Sequence, residues 1–131
     1  MCDSKLVPLD QMILSYPRVE ISKIEELKSF DLSGKLLSEL IDIFKSEFEV
    51  NLPVMKELLK NEDFDKLSKL SHRLRSTGFN SGARRVSEIL KKIEIELTDS
   101  ETSKAEINIM LNSLEYEVFK TRVELEKHIK S

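Results

Sequence analysis

The sequence predicts an all-α protein, an up-down four-helix bundle with an additional short N-terminal helix, and three observations lead there. Composition is the first: three Gly, three Pro and no Trp stand beside 40% hydrophobic and 34% charged residues, the balance of a helical chain and not of a sheet or a disordered tract. The second is periodicity, because apolar residues recur every three to four positions through most of the chain, the spacing of one buried helix face. The third is punctuation, since turn-forming clusters such as Asp31–Gly34 and Asn61–Asp63 cut the periodic stretches at helix-length intervals. With 131 residues there is material for one core, so a single bundle domain is expected over 21–131, with 1–20 as an N-terminal extension.

In chain order, the extension carries Pro8 and Pro17 around an apolar stretch, Leu9 to Leu14, long enough for a turn or two of helix laid on the bundle. A helix follows at about 22–30, where Ser22 and Glu25 have capping-box spacing and Ile24, Leu27 and Phe30 form the apolar stripe. After the turn at Asp31–Gly34, Leu36, Leu37, Leu40, Ile41, Phe44 and Phe48 define a long helix over about 35–60. Pro53 removes a backbone donor inside it and is expected to kink it or begin a new first turn, with Leu52, Met55, Leu58 and Leu59 resuming the apolar face.

Asn61–Asp63 supplies a break and an N-cap for the next helix, whose wheel puts Phe64, Leu67, Ser71, Leu74 and Gly78 on the core side. That helix is expected to fray near Gly78, with Phe79–Gly82 as a short link. The following helix, about 83–97, buries Val86, Ile89, Leu90, Ile93 and Leu97 and leaves Arg84, Ser87, Lys91 and Glu94 along one flank. Beyond a polar linker, Ser103 and Glu106 repeat the capping-box spacing and open a last helix over about 103–129, with Ile107, Met110, Leu111, Leu114, Val118, Leu125 and Ile129 in its stripe. Thr121-Arg122 interrupts that stripe, so the final turns are expected to reach past the bundle. Phe44, Phe48, Phe64 and Met110 are assigned to the core.

The chemistry concentrates between Ser71 and Ala83. His72 falls opposite the core side of its helix, and Ser68, Lys69, Arg75, Ser76 and Phe79 surround it at three- and four-residue spacing. An exposed imidazole with an unperturbed pKa of about 6.5 is mostly neutral near pH 7 and is a usable nucleophile. Arg75, one turn later, can hold an anionic group placed on it. A phosphoryl group is the simplest anion that uses both features. His128, the other histidine, lies among Glu126, Lys127 and Lys130, where a solvated helix end suffices.

This stretch resembles the signature of histidine phosphotransfer (HPt) domains, the shuttle modules of multistep two-component relays, whose motif runs His, any residue, Leu, Lys, Gly, Ser, with a later Gly-Ala pair. His72 matches the phosphorylated histidine, Leu74 the leucine, Thr77 the small hydroxyl residue, Asn80 a frequent asparagine and Gly82-Ala83 the closing pair. Arg75 stands in place of the usual lysine, and Ser76 in place of the usual glycine. The run from Leu36 through Phe44, Leu52-Pro53 and Leu58-Leu59 is similar to the family's long second helix, so the resemblance spans roughly 20–97. It implies that His72 carries phosphate between receiver-domain aspartates, that Arg75 stabilises the charge, and that Ser68, Lys69, Arg73, Ser76, Phe79 and Glu94 face the partner. Relatives often bring a polar side chain toward the histidine at the position of Glu94. The implied partners are response-regulator receiver domains, a hybrid histidine kinase, or both. The implied Mg²⁺ belongs to the receiver, and no cofactor is expected on this chain.

The remaining features bound the alternatives. From Asp65 to Lys92 there are eight basic residues against two acidic, a local charge of +6 in a chain whose net charge is −3. Such a surface suits an acidic protein pocket. A helical nucleic-acid-binding module using Arg73, Arg75, Arg84 and Arg85 is the distant alternative, and no zinc-finger, RRM or basic-zipper pattern accompanies the charge. A nearer one is an HPt-like adaptor that binds a receiver or kinase domain without transferring phosphate. Two separated histidines and the single cysteine, Cys2, give no transition-metal cluster, and the absence of a glycine-rich nucleotide loop argues against autonomous kinase activity. No apolar run approaches the roughly 20 residues that span a bilayer, and with one cysteine no disulfide can form within the chain, so the sequence predicts a cytoplasmic protein.

Overall fold

A computed structural model describes residues 11–129, which form six helices: α1 (Gln11–Ser15), α2 (Ile21–Phe30), α3 (Lys35–Lys60), α4 (Phe64–Asn80), α5 (Arg84–Leu97) and α6 (Lys104–Ile129). Among these residues there is no strand, only an isolated antiparallel bridge between Val19 and Ala83. Cys2, Pro8, Leu9 and Lys130 lie outside the described residues.

The expected bundle is formed by α3 to α6. α3 packs on α4 and α6, and α5 packs on the same two, closing a ring around the core. Each seam is antiparallel, because the pairs across it advance along one helix while retreating along the other. Between α3 and α6, Lys45 meets Glu126 and Lys56 meets Glu115; between α4 and α5, His72 meets Glu94 and Gly78 lies against Ser87. Inside the ring, the Phe44 and Phe48 rings are 4.8 Å apart and fully buried with Leu67, Leu74, Ile89, Leu90 and Leu111. Each such side chain contributes about 1.5–3 kcal/mol by leaving water. α2 packs on α3, and α1 on α5.

Helix ends follow local chemistry where side chains are free to cap. The Asp63 carboxylate accepts from the Lys66 N–H at the start of α4, and Ser103 and Glu106 exchange the two hydrogen bonds of a capping box before α6. Asp31 turns the chain into α3 by accepting from the Ser33 hydroxyl and from the backbone N–H groups of Ser33 and Leu36, bonds that lower its pKa.

Several expectations are corrected. The Ser22–Glu25 pair caps nothing: α2 begins at Ile21 with Glu20 in the cap position, because the Glu20 N–H donates to the Gly82 carbonyl and its carboxylate binds Arg84. A contact distant in sequence sets that helix start. Phe30 is 73% exposed, so the stripe of α2 stops at Leu27. α3 begins no new first turn at Pro53 but continues through it; the carbonyl that the ring leaves without a helical donor belongs to Glu49, an exposed residue that water can reach.

α4 ends close to Gly78, running two residues past it to Asn80, and Gly78 is buried in the last turn. A Cβ there would lie 3.0 Å from the Ser87 hydroxyl oxygen, so the glycine serves close approach of α5. Ser87 accordingly is buried and not on the outer flank, its hydroxyl donating to the Ala83 carbonyl. Gly82, at φ +82°, supplies the left-handed residue in the α4–α5 turn. Leu97 is half-buried, while Phe64 and Ile129 are exposed, both near helix ends. The final turns of α6 stay on the bundle: Thr121 and Leu125 are fully buried, because α3 and α6 are both 26 residues long and remain paired to the end.

The described part of the N-terminal extension, residues 11–20, buries Ile13 and Val19. Arg85 donates to the Leu14 and Tyr16 carbonyls, and the buried Glu117 carboxylate meets Arg85 and, at 2.6 Å, the Nε of Arg18. That bond to Glu117 raises the Arg18 pKa.

Candidate functional site

α4 presents Leu67, Ser71, Leu74 and Gly78 to the core, and the step of about 100° per residue from Ser71 turns His72 outward. Its side chain is 66% exposed. Two charged groups converge on the ring. Arg75 arrives from the same helix, placing Nη2 3.1 Å from His72 Nδ1. Glu94 arrives from α5, placing Oε1 3.1 Å from the same Nδ1. Both polar contacts of the imidazole therefore go to one nitrogen, and Nε2 is left on the exposed side chain as the nitrogen open to a reacting group.

Arg75 and Glu94 also meet each other. Arg75 Nε and Glu94 Oε2 are 2.8 Å apart as opposite charges, yet off the line of a hydrogen bond, so both buried atoms lack a hydrogen-bond partner. The guanidinium thus forks, with Nε toward the carboxylate and Nη2 toward the imidazole. Glu94 carries a side-chain exposure of 18% and Arg75 of 32%, against the open ring of His72. A carboxylate held this way can accept Nδ1–H and stabilise positive charge that develops on the ring when Nε2 attacks an electrophile.

The other predicted site residues divide. Ser76 is exposed beside Arg75, and both line a shallow cleft with Phe79, Asn80, Ser87, Glu88 and Lys91. Phe79 is 64% exposed and lies between that cleft and a second, lined by Glu20, Ser22, Lys23, Glu26, Gly82 and Arg84, with Lys23 Nζ 5.7 Å from its ring centre. Ser68 is half-buried and Lys69 pairs with Asp65, one turn before the histidine. Arg73 is drawn toward α3 by Glu47 and away from the imidazole.

The basic cluster is also split. Arg84 binds Glu20 and Glu88 and stacks over Tyr16, and the bond to Glu20 is the main reason its pKa is raised. Arg85 is taken by the N-terminal segment and Glu117. Both are thereby committed within the molecule, which leaves the nucleic-acid alternative little of its surface. The contribution of Lys23 and Glu20 to the surroundings of Phe79 had no signal in the sequence, since it depends on where α2 docks. Among the described residues no group of three or more His, Cys, Asp or Glu is placed to hold a metal ion, and no helix is long and apolar enough to cross a membrane.

Compared with known families, the chain matches the Hpt domain over residues 39–117. No curated protein and no solved structure gives a match. The matched span runs from the first turns of α3 into α6 and includes His72, Arg75 and Glu94. Because that span covers more than half of a helical chain with an exposed histidine on its bundle, the chain belongs to the Hpt domain family, the phosphocarriers that work with receiver domains and kinases in two-component signalling.

Proposed function

We propose that His72 takes a phosphoryl group from the phospho-aspartate of one receiver domain and gives it to the aspartate of another. The observation that carries this reading is the asymmetry of the ring: Nδ1 faces the Glu94 carboxylate at 3.1 Å, while the side chain is exposed and Nε2 has no such partner. In the forward step the Nε2 lone pair attacks phosphorus, an N–P bond forms, and the acyl P–O bond breaks to regenerate the receiver carboxylate. The proton on Nδ1 stays in place, so the phosphorylated ring is cationic, and Glu94 lies where that charge appears. Arg75 meets the negative charge of the phosphoryl group. The receiver brings Mg²⁺ and an acidic pocket, and the exposed Phe79 with its flanking clefts gives it an apolar contact beside the basic face of α4. The reverse step onto a second receiver needs no other group from this chain. A cytoplasmic setting belongs to the same reading.

Incubation of the purified protein with a panel of phosphorylated receivers tests it. An acid-labile phosphate is expected on the wild type and on His128→Gln, and none on His72→Gln. Labelling that survives the loss of His72 refutes the assignment. Receiver binding with no transfer to the wild type makes the protein an adaptor.

A further inference from the structure

The two contacts at His72 Nδ1 cannot both be hydrogen bonds at once. A neutral imidazole has one N–H and one lone pair, so Nδ1 either donates to Glu94 or accepts from Arg75. The choice fixes the other nitrogen. When Nδ1 donates to the carboxylate, Nε2 holds an available lone pair and can attack phosphorus. When Nδ1 accepts from the guanidinium, the ring proton is on Nε2, whose remaining electron pair belongs to the aromatic system and cannot attack. The Arg75–Glu94 contact ties the two together, since the carboxylate holds the guanidinium in reach of the imidazole.

We propose that Arg75 is a tautomer gate, donating to Nδ1 in the free protein and so keeping the proton of His72 on Nε2, and that drawing the guanidinium away returns Nδ1–H to Glu94 and makes Nε2 nucleophilic. An acidic partner surface is the chemistry that would draw it away. The inference rests on the reading of His72 as the acceptor, and it gives meaning to arginine where the resemblance has lysine: a planar fork reaches the imidazole and the carboxylate together, which a single ammonium on a flexible stem is poorly built to do. Arg75 acts here through the ring, as a positioning residue, before it meets any phosphoryl charge.

The test is the tautomer itself, read from the ¹⁵N shifts of the His72 ring nitrogens at a pH where the imidazole is neutral. The wild type is expected mostly as Nε2–H, Arg75→Ala mostly as Nδ1–H, and Glu94→Ala as Nε2–H. Phosphoramidate, a small donor with no acidic pocket, gives a second readout. With this donor the rate onto Nε2 is expected to fall in Glu94→Ala, while in Arg75→Ala a tautomeric gain of up to about tenfold, for a reactive form that is about one part in ten of the wild type, is set against the lost contact with the phosphoryl charge. Equal tautomer ratios in the wild type and Arg75→Ala would overturn the gate, as would Nδ1–H already dominant in the wild type. The receiver panel reports separately: a His72 that takes no phosphate from any receiver sinks the relay reading and leaves the tautomer ratios to decide the gate.

Discussion

Ser76 is exposed one helical turn beyond His72, beside the cleft that Arg75 also lines, where the resemblance has glycine. On the proposed reading its Cβ and hydroxyl would narrow the approach to the imidazole, since residues four apart share a helix face, while serine supports the helix better than glycine does. Ser76→Gly is therefore expected to lower the unfolding free energy by about 0.5 kcal/mol and to speed single-turnover transfer from a receiver. Urea unfolding and rapid-quench transfer on the same variant check both halves; a slower transfer would show instead that the hydroxyl assists the phosphoryl oxygens. At this scale the sequence was informative wherever a property follows from helical phase alone. The outward direction of His72 and the burial of Leu67 and Leu74 depend only on residues of α4, and the wheel placed them. The fork of Arg75 between His72 and Glu94 was not legible, because it depends on the register of α5 against α4, and the sequence could offer Glu94 only by resemblance.

Between elements, the α4–α5 seam is the one that sets that register. Gly78 lets α5 approach until Ser87 Oγ stands where a Cβ would find it 3.0 Å away. Alanine at 78 gains about 1 kcal/mol of helix propensity and meets that hydroxyl, so its effect depends on residue 87. A double-mutant cycle of Gly78→Ala and Ser87→Ala, followed by urea unfolding, is expected to show a coupling of at least about 0.5 kcal/mol, alanine at 78 being better tolerated once the hydroxyl is gone. Additive effects would mean that the seam relaxes freely. Glycine is a helix-ending signal in sequence and a packing device here; only the facing residue distinguishes the two uses. The same limit explains α2, whose start follows from the Glu20–Gly82 bond and not from Ser22, whereas the Ser103–Glu106 cap, closed within its own turn, was legible in full.

In the whole molecule, the N-terminal segment is joined to the bundle by Glu117, whose side chain is 5% exposed between Arg18 and Arg85. Glu117→Ala is expected to cost about 3 kcal/mol, the low end of the range for a broken buried pair, because Arg18 keeps partial access to water. Faster amide exchange over residues 16–20 should accompany the loss, and unchanged exchange would show that Ile13 and Val19 hold the segment by packing alone. The bundle was foreseeable from apolar period and short turns, but this attachment was not, since no local pattern links Arg18 to residues a hundred positions away. The bridge of Val19 to Ala83, with Glu20 N–H on the Gly82 carbonyl and Arg84 N–H on the Arg18 carbonyl, has a consequence for the order of assembly. It closes a loop that contains α2, α3 and α4, and the entropy of so long a closure is recovered cheaply only after those helices have already brought its ends together. The clasp is accordingly expected to form late and to open as a local event. Its closure then records, at the start of the chain, that the corner following the histidine helix has been built.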